Sequence, residues 1–425
     1  MSLETKKTLR NQLIYSVFLR NHTQEGTFLS LIPDLDRIKE LGTSIIWLLP
    51  IHPIGELNRK GNEGSPYAIQ DYNKINPDYG TLNDLDELVA EIHKRDMKVI
   101  IDVVFNHTSP DSYLRKNHPE FFYRTASGDF GNKVADWADI IDLDYNNPDL
   151  WEHQIDTLKF WAKYVDGFRC DVASLVPLEF WHQARTSVAT VNPDTLWLAE
   201  TVEADFLKEL REIDQVGLSD SEIYQVFDIT YDYDVYPSYV DYLTGKISLE
   251  SYISILNFQD SIYPENYVKM RFLENHDRQR AKQIIGNLND LINWTAFLFF
   301  QKGIPQLYGG QERAVDHLPD LFVKDPVEWE QKIDLTPLIQ RLMSVKKSLP
   351  IKGSYKLKAA ASDTVVGYYR NSEQHFLGVF SLKSAVGMVH VDFPDGQYNN
   401  LLSDEKISVE NGVLYCAGKP IILQK

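Results

Sequence analysis

The chain has 425 residues, 43% of them hydrophobic, and its 61 acidic against 43 basic residues give a formal net charge of -18. That length allows two or three units, or one α/β barrel of about 250 residues with additions. The charge argues against a nucleic-acid or anionic-membrane partner, since both select clustered positive charge.

In chain order, short apolar runs alternate with helical patterns over most of the sequence. Strands are predicted at 13–19 ("LIYSVFL"), 44–50 ("SIIWLLP"), 99–105 ("VIIDVVF") and 165–171 ("VDGFRCD"), then at 196–199 ("LWLA"), 224–227 ("YQVF"), 269–273 ("KMRFL") and 304–308 ("IPQLY"). Between them, "DLDRIKELG" spaces Leu35, Ile38 and Leu41 as one helix face and stops at Gly42, a C-cap residue. "NDLDELVAEIHKRD" buries Leu85, Leu88, Val89 and Ile92, with Asn83 as its expected cap. "WTAFLFF" (294–300) is too short for a membrane span and reads as a buried helix. Eight strands alternating with helices predict an α/β fold, a closed (β/α)8 TIM barrel. The long irregular stretch after the third strand is a functional loop by its length. Beyond Pro350 the runs "VVGYYRN", "FLGVFSL", "MVHVDF", "GVLYCA" and "PIILQ" predict a C-terminal antiparallel β-sandwich domain. The expected division is a barrel first part at 1–106, an inserted domain B at 107–147, a barrel second part at 148–349 and the β domain at 350–425.

Cys170 and Cys416 are the only cysteines, which leaves no disulfide framework and no readable zinc site. The opening "MSLETKKTLRNQ" lacks the apolar core of a signal peptide. A cytoplasmic location is the expectation.

Chemistry-bearing side chains collect at strand ends, where a barrel builds its active site. The third strand ends with Asp102, Asn106 and His107, the fourth with Arg169 and Asp171, the fifth with Glu200 and the seventh with His276 and Asp277. Arg169 and Asp171 share one strand face, because a strand alternates with period two. Burying such a pair is costly unless it is hydrogen-bonded. Taken singly, each of these residues suits a cap, a packing contact or a barrel-interior ion pair. Together they suit glycosidic bond cleavage, which needs one carboxyl to protonate the leaving oxygen and another as nucleophile or base. Arg169 is expected to lower the pKa of Asp171, and apolar or anionic neighbours to raise that of Glu200.

At these residues the sequence resembles the α-amylase superfamily of retaining glycoside hydrolases. "DVVFNHT", "GFRCDVA", the Glu of "LAET" and "FLENHD" resemble its four signatures in order. "SPYAIQDYNKINPDYGT" and "PQLYGGQE" resemble further family segments. The resemblance implies Asp171 as nucleophile, Glu200 as general acid/base and Asp277 as transition-state stabiliser. It implies Arg169 as the residue holding the nucleophile, His107 and His276 as binders of sugar hydroxyls, Tyr67 as the platform under the sugar and Asp102 as a supporting residue. It needs no cofactor for the chemistry, but implies a structural calcium at Asn106, with further oxygens from "DWADIIDLD". "DVASLVP" departs from the family's common "A-x-x-K-H", so that Ser174 and Leu175 stand where a Lys and a His contact sugar on the leaving-group side. The implied activity is hydrolysis of α-1,4-linked glucans or malto-oligosaccharides by double displacement. The alternatives are an α-glucan transglycosylase or isomerase, an α-1,6-glucosidase, and an inactive sugar-binding relative. The expected partner is an oligosaccharide or α-glucan, not nucleic acid and not a membrane.

Overall fold

The computed structural model describes residues 5–134 and 137–425. Eight parallel strands close a barrel: β1 (Ile14–Val17), β2 (Ile45–Leu48), β3 (Lys98–Val103), β4 (Gly167–Cys170), β5 (Leu196–Ala199), β6 (Ile229–Tyr231), β7 (Lys269–Arg271) and β8 (Ile304–Tyr308). Each pairs with its neighbours in sequence, and β8 closes on β1. β1, β2, β4 and β8 are buried along their whole length, as strands wrapped by helices require.

Seven of the eight strands overlap their expected positions, and the sixth does not. Residues 224–227 continue the short helix Asp220–Ile223, with the amides of Val226 and Phe227 bonding the Ile223 carbonyl. A reciprocal Ser219–Glu222 cap starts that helix. The real strand lies just beyond, inside "DITYDYD", where flanking aspartates mask an apolar signal of three residues. A smaller correction concerns the helix Leu82–His93. Its cap is Thr81, whose hydroxyl accepts from the Asp84 amide while Asp84 accepts from Thr81, not Asn83. The C-cap reading at Gly42 holds: φ is +90°, a left-handed value that favours glycine.

After β3 the chain makes a small antiparallel ladder, His107–Thr108 against Ile141–Asp142, before the helix Pro148–Trp161 returns it to β4. The C-terminal region holds β9 (Ser354–Ala360), β10 (Thr364–Arg370), β11 (His375–Ser381), β12 (Val386–His390), β13 (Gly396–Asn399), β14 (Lys406–Val409), β15 (Val413–Ala417) and β16 (Ile421–Gln424). They form one four-stranded antiparallel sheet, β9-β10-β11-β16, and two two-stranded antiparallel sheets, β12-β15 and the β13-β14 hairpin. β9, β13 and β14 were not among the expected strands, being largely exposed and polar. The four-stranded sheet docks on the apolar helix Leu288–Phe300, which contains the expected buried run. Phe300 reaches the sheet because Gly367 and Gly378 face each other there; a Cβ on Gly367 would lie 2.6 Å from the Phe300 ring.

Candidate active site

The site starts from strand register. Asp102 on β3 is the lateral partner of Arg169 on β4, so both side chains enter the barrel at one level. The ladder runs one step past the strand ends: the Asp171 amide bonds Val103 O and the Glu200 amide bonds Cys170 O. The two acids therefore occupy equivalent positions on adjacent staves, just above the Arg169 layer.

The Arg169 guanidinium is fully buried and collects carboxylates. Its Nη1 donates to Asp102 Oδ1 at 2.8 Å and to Asp171 Oδ1 at 2.7 Å. Nη2 lies 2.9 Å from Glu200 Oε2 as an ion-pair contact without hydrogen-bond alignment. Nε donates to the Tyr231 hydroxyl at 3.1 Å. Trp47, Tyr67 and Tyr231 surround the cation with ring centroids 5.2, 5.6 and 5.3 Å away. Asp171 and Glu200 thus touch adjacent nitrogens of one planar group. That arrangement is compatible with the about 5–5.5 Å carboxyl separation of retaining glycosidases.

One cation facing three buried carboxylates cannot neutralise them all. Burial pushes Asp171 up to about 7 against the opposing pull of Arg169, with Asp102 and Asp277 adding to the rise. Arg169 does pull that pKa down, as expected, but desolvation outweighs the salt bridge and the net shift is upward. Glu200 is pushed furthest, to about 8, by burial, with Asp171 and Asp277 adding to it. Asp102 is likewise raised to about 7 by burial. A proton held in this trio therefore resides chiefly on Glu200, the member without an aligned bond to Arg169.

Glu200 has one strong local partner, the Val172 amide at 2.8 Å. Val172 adopts φ +36°, a left-handed conformation for a β-branched residue, which costs of order 1–3 kcal/mol. The strain aims that amide at the carboxyl. Ser174 and Leu175 follow in a short 3-10 turn, Ala173–Leu175, and are buried, with the Ser174 carbonyl accepting from the Leu218 amide. The chain after β5 packs against them through that bond.

The remaining predicted residues gather above Asp102. Tyr67 donates to Asp102 Oδ2 at 3.1 Å, and its hydroxyl lies 2.6 Å from His276 Nε2. His276 Nε2 also lies 3.1 Å from Asp277 Oδ2. Burial lowers His276 to about 4 and lowers His107 as well, so both rings are neutral at physiological pH. Tyr67 and His276 stack with planes 14° apart. Asp277 stands nearest the solvent, its side chain 40% exposed, with its amide bonded to Asn275 Oδ1. Glu200 and Asp171 are 7% and 6% exposed. Sequence reasoning missed Tyr231, because it missed β6, and missed Trp47, whose apolar strand context carries no polar signal.

Asn106 does not fit the calcium expected of it. Its side-chain nitrogen faces Asp142 Oδ1 at 3.4 Å and His107 Nδ1 at 3.3 Å. In "DWADIIDLD", Asp136 lies outside the described residues, Asp139 pairs with Lys60 at 2.7 Å, Asp142 Oδ2 accepts the Lys133 amide at 2.7 Å, and Asp144 accepts from Asn146. Among the described residues no three His, Cys, Asp or Glu side chains converge as a metal set, whereas calcium takes six to eight oxygens.

Residues 12–138 and 129–335 match the family described as alpha amylase, catalytic domain. The chain belongs to the α-amylase family. It is a glycoside hydrolase of that family, and residues 356–423 match the bacterial alpha amylase C-terminal domain. A crystal structure of an alpha-amylase from Lactobacillus plantarum is 48% identical and superposes with a TM-score of 0.96, over 99% of this chain and 100% of that one. A noncanonic maltogenic alpha-amylase, AmyB from Thermotoga neapolitana, is 34% identical with a TM-score of 0.87, over 98% and 99% of the two chains. Alpha-amylase 3 of Dictyoglomus thermophilum is 24% identical across 75% of this chain and 68% of its own length. No described helix is long and apolar enough to cross a membrane.

Proposed function

We propose that this enzyme cleaves α-1,4 bonds of malto-oligosaccharides with retention, using Asp171 as nucleophile, Glu200 as general acid/base and Asp277 as transition-state stabiliser. The observation that carries the proposal is the Arg169 guanidinium shared by Asp171 and Glu200. Asp171, bonded at 2.7 Å by that cation, is the better held as an anion and attacks the anomeric carbon. Glu200 keeps its proton and gives it to the departing oxygen, then removes one from the water that opens the glycosyl ester. Asp277, at the open mouth, faces the positive charge that develops on the ring. Neutral His276 and His107 offer hydrogen bonds to sugar hydroxyls, and the Tyr67 ring offers an apolar face to the sugar's C–H surface. Asp102 holds Arg169 and Tyr67 in place. The same reading divides the chain into a barrel at 1–106 and 148–349, domain B at 107–147 and a β domain at 350–425.

Product profiles on maltoheptaose, maltotriose, pullulan, isomaltose and sucrose test the substrate. Shorter malto-oligosaccharides released from maltoheptaose with the α-anomer formed first are expected. Longer products from maltotriose would mean transfer, and cleavage of isomaltose alone would mean α-1,6 specificity. Asp171→Asn should reduce kcat by about 10³-fold or more while preserving oligosaccharide binding, since it removes the covalent step.

A further inference from the structure

Beside Asn106, the residue that the family resemblance assigns to a calcium, this chain brings a cation of its own, Lys133. We propose that the Lys133 ammonium replaces calcium in this protein and, through Asp142 and Leu143, positions His107 over the site. Its Nζ donates to Leu143 O at 2.6 Å, and its backbone amide donates to Asp142 Oδ2 at 2.7 Å. The Asp142 amide returns a bond to Gly131 O, so Gly131 and Lys133 grip the 142–143 strand from one side. From the other side, the Leu143 amide bonds Asn106 O, Asn106 Nδ2 faces Asp142 Oδ1, and Asp142 is the ladder partner of His107. The lysine, the returning strand and the end of β3 form one continuous tie, and His107 is its last link.

Charge favours the lysine over a divalent ion. Asp142 and Asp144 face the ammonium, while neutral His107 is the other titratable group beside Asp142. A calcium ion here would meet an adjacent positive charge and would compete for oxygens already bonded: Leu143 O to the ammonium and Asp142 Oδ2 to an amide. The tie is stated independently of the hydrolase reading; only the consequence for sugar binding at His107 rests on it.

The test is thermal unfolding of the full chain, without substrate, in EDTA and in excess calcium chloride. The wild-type Tm is expected to be the same in both. A wild-type Tm that rises with calcium overturns the proposal. Lys133→Met is expected to lower Tm in both conditions and to raise KM for maltotriose, with Lys133→Arg restoring both. A K133M protein with wild-type Tm and KM overturns it. Where K133M does not fold, Lys133→Gln, which keeps a donor for Leu143 O and loses the charge, serves instead: a Tm below wild type supports the tie, and an unchanged one removes it. A wild-type protein inactive on glucans but indifferent to calcium would sink the hydrolase reading and leave this one standing.

Discussion

Asp171, Glu200 and Asp102 differ from ordinary carboxylic acids because one guanidinium must serve all three in a dry setting. The protonation needed for catalysis, Asp171 charged and Glu200 neutral, is richest between about 7 and about 8, the values to which burial pushes them. The pH profile of kcat/KM on maltotriose should therefore fall on both sides of that interval, its acid limb tracking the loss of the Asp171 charge. Stability moves in one direction across the same range. The Glu200 carboxyl, ordinarily near 4.5, titrates near 8 when folded, so the native state holds a proton that the unfolded chain has released. Stability attributable to this group is intact below about 4.5 and declines as pH rises through 8. Glu200→Gln, which abolishes the charge, should raise Tm relative to wild type at pH 8 and leave it nearly unchanged at pH 4. Differential scanning fluorimetry of the two proteins at both pH values checks the sign.

β6 shows what a strand contributes that its individual residues do not announce. Its three residues are flanked by Asp228 and Asp232, and the pattern of apolar side chains pointed instead to 224–227, the turn that ends the helix begun by the Ser219–Glu222 cap. Periodicity reads runs of about five residues or more with confidence in type, and three residues between acids fall below that. β3, β4, β5 and β7 were legible because each ends in a polar group that has no business in an apolar run. The same logic made Asp102, Arg169, Asp171, Glu200, His276 and Asp277 visible as a set, while Trp47 and Tyr231 remained hidden among ordinary core aromatics. The direction of the Asp171 shift was also out of reach, since burial is a property of the assembled barrel. Tyr231 supplies the hydroxyl that accepts from Arg169 Nε. Tyr231→Phe leaves that buried donor unpaired, at a cost of about 1–3 kcal/mol. It should lower both the urea midpoint and kcat, with far-UV circular dichroism unchanged.

At the scale of the molecule, the barrel and the C-terminal sheets share a core along the helix Leu288–Phe300. Phe297 and Phe300 lie 5.6 and 5.3 Å from the Phe380 ring. Asn293 donates to Gly418 O and accepts from the Ser381 amide. Asn257 pairs both ways with the Leu357 backbone. Phe300→Ala should cost about 3–5 kcal/mol and lower the Tm of a single transition; two separated transitions in calorimetry would show that the sheets melt independently. The net charge of -18 has no counterpart in a neutral sugar, so kcat/KM should be indifferent to ionic strength. Arg169, finally, makes the acids one ensemble with several seats for a single proton. Altering any one occupant re-prices the rest, so a shift of working pH in descendants of this sequence is easier to reach through the aromatic walls around the guanidinium than by exchanging any acid.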